Sequence, residues 1–153
     1  MAEFRFRAAA ALELRKQQET AASTALARAE ALFREAELRV QHAMRDRQAA
    51  QETQRSAERR GTDAGTIEWH RNWIVRLTAA VDALARDVDA QSRAVKQAEQ
   101  HWRDARRRRL TLERMRERAW RRYQQEQQRQ ELKVIDELAR LRFVMADAWR
   151  DDT

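Results

Sequence analysis

The side chains best placed to do chemistry lie between residues 103 and 122. Arg103, Arg106, Arg107, Arg108, Arg109, Arg114, Arg116, Arg118, Arg121 and Arg122 face only Asp104, Glu113 and Glu117, a local excess that equals the +7 net charge of the whole chain. A guanidinium offers a planar fork of donors that matches a carboxylate or a phosphate, so the run suits an acidic partner. It also reads as a solvated helix face laced with i,i+4 pairs. Only Lys16, Lys96 and Lys133 are lysines, and a genome rich in G and C yields the same bias toward arginine. Nucleic acid is not expected, because the run holds no recognised reading module and, Trp120 aside, no interleaved aromatic residue. His42, His70 and His101 stand singly, without a second ligand at metal spacing, so no metal is expected. Gly61 and Gly65 are not followed by the Lys and Ser/Thr of a phosphate loop, which leaves no nucleotide cofactor site of that kind.

What would position these residues follows from the absence of breakers. Proline and cysteine number 0, glycine numbers 2, and 37% of the 153 residues are charged. Sandwich, barrel and α/β folds need turn residues at regular spacing, and here the only cluster is Gly61 and Gly65. Apolar residues recur at steps of three and four: Ala22, Leu26, Ala29, Phe33, Ala36, Val40, Ala43, Arg47 and Ala50 in the first half. The second half continues with Ile74, Leu77, Val81, Leu84, Val88, Gln91, Val95, Ala98, Trp102 and Ala105. The expected fold is all-α, a long two-helix antiparallel coiled coil in one domain over 1–153. Its helices run over about 4–60 and about 66–150, with a turn at about 61–65. Gly61 is expected to end the first helix in the left-handed region, and Thr66 to cap the second, with Glu68 in its positive first turn.

Folding the chain about residue 63 sets Val40 near Val88, Phe33 near Val95, Leu26 near Trp102 and Phe4 near Tyr123. At 1.5 Å per residue the helices span about 85 Å and about 125 Å, so the second overhangs. That C-terminal overhang carries Leu132, Val134, Ile135, Leu138, Leu141, Phe143, Val144, Met145 and Trp149, with no chain left to cover them. Trp69 and Trp73 open the second helix opposite alanines, so at least one indole is expected to stay exposed near the turn. Trp102 falls on the seam and reads as core. A two-helix hairpin encloses no cavity, so catalysis is not expected. No apolar run nears the ~20 residues of a membrane span, and the first residues lack the core of a signal peptide, which reads as cytoplasmic.

Several segments resemble the FliJ family of flagellar export proteins over nearly the whole length. They are the opening Phe4-Arg5-Phe6-Arg7 with Leu12-Glu13-Leu14-Arg15, Trp102 with the basic run after it, and Leu112-Glu113-Arg114-Met115-Arg116-Glu117-Arg118. The closing Glu131-Leu132-Lys133-Val134-Ile135-Asp136-Glu137-Leu138-Ala139 is the most specific of them. The resemblance implies a coiled-coil stalk similar to the γ subunit of rotary ATPases, seated in the hexameric export ATPase FliI and promoting its assembly. It implies contact with the export gate protein FlhA and with export chaperones, at the cytoplasmic face of the membrane. Trp73, Leu77, Ala80 and Leu84 match the family's gate-contacting stripe, with Leu84 departing from a more polar usage.

The ring-facing set expected on this picture is Phe4, Arg7, Leu12, Arg106, Arg107, Arg108, Arg109 and Arg116. Ile135, Leu138, Leu141 and Met145 are the expected tail contacts with a partner. The stalk of a virulence injectisome shares this architecture. A self-associating scaffold and a nucleic-acid-binding hairpin are the readings from other classes.

Overall fold

The structure, a computed structural model, describes residues 3–151, with side chains for residues 3–145. It contains two helices, α1 (Ala9–Arg59) and α2 (Ala64–Asp151), and no strand among the described residues. They pack as the antiparallel hairpin that the two apolar series require. Every one of the nineteen seam positions named above is at least partly buried, including the polar members Arg47 and Gln91. Gln91 settles its amide on the Asp87 carboxylate at 3.3 Å.

Two compact units divide this hairpin. One is Gln17–Arg106, the turn with both helices leading from it; the other joins the N-terminal stretch through Lys16 with the chain from Arg107 onward. In the turn-bearing unit the deepest side chains are Ala36, Ala57 and Val81, at 2%, 3% and 5% exposure. Two of the three are alanines, as expected of a seam in which small residues let backbones approach. In the other unit Leu12 is the one described hydrophobic residue buried to this degree.

The turn is specified by two devices. Gly61 has φ +73°, the left-handed region where a Cβ is strained. Its N–H donates to the Glu58 carbonyl at 3.1 Å and the Thr62 N–H to the Ala57 carbonyl at 3.2 Å, which is the Schellman pairing that closes a helix C-terminus. The Thr62 hydroxyl donates to the same Ala57 carbonyl at 2.9 Å. On the far side the capping residue is Asp63, not Thr66, and α2 begins at Ala64. The Thr66 N–H donates to Asp63 Oδ2 at 3.0 Å and its hydroxyl to Oδ1 at 2.7 Å, so both carboxylate oxygens are used. Threonine in the third helical position serves as donor to a better acceptor, because a carboxylate also meets the positive end of the helix.

The start of α1 also differs from expectation. The helix begins at Ala9 instead of near residue 4, and residues 3–6 carry no helix. Exposure alternates from Glu3 to Ala8, with Phe4, Phe6 and Ala8 partly buried and Glu3, Arg5 and Arg7 exposed. That is the period of extended chain, and Phe-Arg-Phe-Arg written as helix would place its two rings on different faces. The Ala9 N–H donates to the Phe6 carbonyl at 3.1 Å where this strap turns into the helix.

Beyond Gln127 every residue through Met145 is exposed. The apolar series from Leu132 to Met145 lies open, at 55–71% exposure. The Trp149 side chain lies outside the described residues.

Two outcomes test the turn. Gly61→Ala adds a Cβ that meets nothing within 4 Å, so its cost is conformational alone. Chemical denaturation should find about 1 kcal/mol lost. Hydrogen bonds from Thr66, its hydroxyl foremost, hold the Asp63 carboxyl below the ordinary carboxylate value. The charged cap therefore contributes fully above that ordinary value and is lost as pH falls through the lowered one. Asp63→Asn keeps a capping oxygen without the titration. Melting curves taken across acid pH should show a smaller fall for this variant than for the parent.

Candidate functional site

The strap and the α2 segment it lies on form the most developed surface of the molecule. Phe4 meets Trp120 edge-on with centroids 5.0 Å apart and Tyr123 at 5.5 Å, while Trp120 and Tyr123 are themselves stacked at 5.5 Å. The expected approach of Phe4 to Tyr123 is thus present, made from extended chain. This three-ring clasp holds the first residues against α2. Trp120 does not stand out in the sequence, because it lies one position outside the continuation of the seam, and its contact with Phe4 depends on the strap.

Three open grooves surround the clasp. One of about 510 Å³ lies between Phe4, Phe6, Leu12, Glu13, Lys16 and Arg116. A second, of about 410 Å³, is bounded by Phe4, Glu113, Arg116, Glu117 and Trp120. The third, of about 440 Å³, is bounded by Arg5, Phe6, Arg7, Met115, Arg118, Ala119 and Arg122. Further along α2, Thr111, Arg114, Glu117, Arg118 and Arg121 line another opening of about 450 Å³.

The arginines of the basic run divide into two groups. Arg103 binds Glu99 and Arg121 binds Glu117, each one helical turn apart. Arg109 pairs with Glu113 at 2.7 Å and is only 21% exposed. The Arg106 guanidinium lies 5.3 Å over the ring of Trp102, a cation–π contact on a seam tryptophan that is half-buried. Arg107 also has a partner. By contrast Arg108, Arg114, Arg116, Arg118 and Arg122 are exposed and make no ion pair with another described residue. Of the expected ring-facing residues, then, Arg7, Arg108 and Arg116 present their charge outward. Phe4 belongs to the clasp, and Leu12, 4% exposed, packs beneath the surface.

Near the turn the other expected stripe has two edges. Trp73 and Ala80 are exposed, whereas Leu77 and Leu84 are half-buried in the seam. Trp69 and Trp73 are both exposed, at 61% and 43%, and stack at 6.4 Å with an interplanar angle of 12°. His70 adds an edge-on contact to Trp69 at 5.1 Å. The i,i+4 spacing of the two indoles carries this signal in the sequence. The tail residues Ile135, Leu138, Leu141 and Met145 are all exposed, at 55–63%.

This arrangement offers docking surfaces and open grooves, and among the described residues no group of three or more His, Asp or Glu could hold a metal ion. No helix is long and apolar enough to cross a membrane, among the described residues. The family model described as "Flagellar FliJ protein" matches residues 9–147. The chain belongs to the FliJ family. It is therefore a flagellar protein of the export-related kind. No curated protein and no solved structure matches it. The family match begins at Ala9, where α1 begins, so the strap of this FliJ-family chain lies outside the matched span.

The clasp is testable by a double-mutant cycle. Phe4→Ala and Trp120→Ala should each lower stability by about 1–2 kcal/mol, with a coupling near 1 kcal/mol between them. Urea denaturation of the four proteins measures the coupling, and amide exchange of residues 5–9 should rise in either single variant.

Proposed function

We propose that this chain is the central stalk and coupling factor of the flagellar export apparatus. Its paired end enters the hexameric export ATPase and promotes ring assembly, while the region near the turn reaches the membrane export gate. The observation that carries the reading is the family match over residues 9–147, joined to a surface at the paired end where Arg7, Arg108 and Arg116 are exposed and make no ion pair with another described residue. Arg7, Arg108 and Arg116 supply attraction toward a ring lined with carboxylates, in a form that weakens with salt. Arg106, Arg107 and Arg109, already engaged within the molecule, shape that surface, and Phe4 and Leu12 hold the strap and α1 in place beneath it. The chain is not an enzyme on this reading and needs no cofactor.

Trp73 and Ala80 present the gate-facing edge, backed by Leu77 and Leu84 from the seam. The stacked Trp69 gives the same region a flat aromatic face suited to a protein hot spot. The open series Ile135, Leu138, Leu141 and Met145 engages the ring or an export chaperone, covering apolar surface that the chain itself leaves wet. The protein works at the cytoplasmic face of the membrane, peripherally, through these protein contacts.

The test is the steady-state rate and oligomeric state of the cognate export ATPase with and without this protein. Stimulated hydrolysis accompanied by hexamer formation is expected. Arg108→Glu with Arg116→Glu should abolish both while leaving helicity intact, because neither makes an ion pair with another described residue. An unchanged rate and unchanged oligomer would sink the stalk reading. Concentration-dependent sedimentation of the protein alone would instead favour a self-associating scaffold through the tail.

A further inference from the structure

We infer that the groove beside the strap is a binding site for a compact phosphate-bearing anion. Arg5 and Arg7 edge it from the strap, and Arg118 and Arg122 from α2. All four are exposed, and none makes an ion pair with another described residue. Phe6, Met115 and Ala119 give the groove an apolar floor. On α2 the lining residues 115, 118, 119 and 122 recur at i, i+3, i+4 and i+7, so they share one face. The extended strap is what completes the site, since alternation along Phe-Arg-Phe-Arg turns Phe6 inward and leaves an arginine on either side of it.

Charge sets this groove apart. The other openings described along this part of the chain each include a carboxylate, Glu13, or Glu113 with Glu117, or Glu117 alone, which offsets part of the charge of their cations. Here four guanidiniums border about 440 Å³ with no carboxylate among the lining residues. A volume of this size accepts a small ligand and not a folded partner. Four forked donors round so small a space match several oxyanion charges on adjoining atoms, as in linked phosphates. The carboxylates of an acidic peptide are spaced further apart along their backbone, which makes such a peptide the weaker fit. The shared chemistry is the phosphate group, free as an oligophosphate or carried on a lipid headgroup. The inference does not rest on the stalk reading; Arg7 belongs to both surfaces, whereas Arg5, Arg118 and Arg122 are outside the expected ring-facing set, Arg5 and Arg118 also edging neighbouring openings.

Isothermal titration of the full chain with inorganic tripolyphosphate tests it. Saturable binding is expected, and Arg118→Ala with Arg122→Ala should weaken it by about tenfold or more. Arg86→Ala with Arg93→Ala removes the same charge from elsewhere on α2 and should change affinity by less than about twofold. Circular dichroism of both double variants guards against loss of the fold. Flotation with vesicles of phosphatidylglycerol, against phosphatidylcholine alone, separates the sources. Vesicle binding that the groove variant loses assigns the site to lipid headgroups, and tripolyphosphate binding without it assigns the site to free oligophosphate. No saturable binding of either ligand, equal losses in the two double variants, or hexaglutamate binding as tightly as tripolyphosphate would each overturn the inference.

Discussion

Each helix of a two-helix pair has a single neighbour, so about half of its circumference stays wet whatever the sequence. The rest of this structure follows from that constraint. Among the described residues no side chain of any size is completely buried, and the most enclosed positions are two alanines, a leucine and a valine. Stability has to be gathered thinly along two seams, with surface pairs such as Glu35 with Arg39 adding little each. Such a molecule cannot wrap a substrate. Its binding capacity lies in what it leaves outside: charges without partners, stacked indoles and an apolar tail.

Where an extra element does cover a helix, it does so economically. The strap Glu3–Ala8, extended as far as Phe6, sets Phe4 on α2 and creates both an aromatic cluster and edges for three grooves. The same residues deliver two exposed arginines beside the basic run. The end of the hairpin is thereby differentiated from its middle, although the seam pattern in the sequence barely changes between them.

Much of the fold was legible because period and punctuation agree. The three-four spacing from Ala22 to Ala50 and from Ile74 to Ala105 predicted every buried position it named, and a single glycine pair located the turn. Local chemistry at the boundaries was less legible. Thr66 looked like a cap until Asp63, equally eligible and nearer to the turn, took the role with both of its oxygens. The strap was read as helix because four residues of alternation are outweighed by the long helical pattern that follows. The candidate site was visible as a count of arginines, but not as a division into paired and unpaired ones. Whether Arg109 finds Glu113, or Arg106 a tryptophan ring, depends on rotamers that composition does not encode. The exposed tail, by contrast, was predictable from the difference in helix lengths alone.

The turn also sets an order of events along the chain. Contacts beside Gly61 and Asp63 join residues close in sequence, whereas the clasp joins Phe4 to Trp120 across more than a hundred residues. The entropy lost on closing a loop grows with its length, though slowly, so pairing is easiest beside the turn and the clasp shuts last. By microscopic reversibility it also opens first. The aromatic clasp is then a latch with its own local equilibrium, released and remade while the pairing beside the turn stays closed.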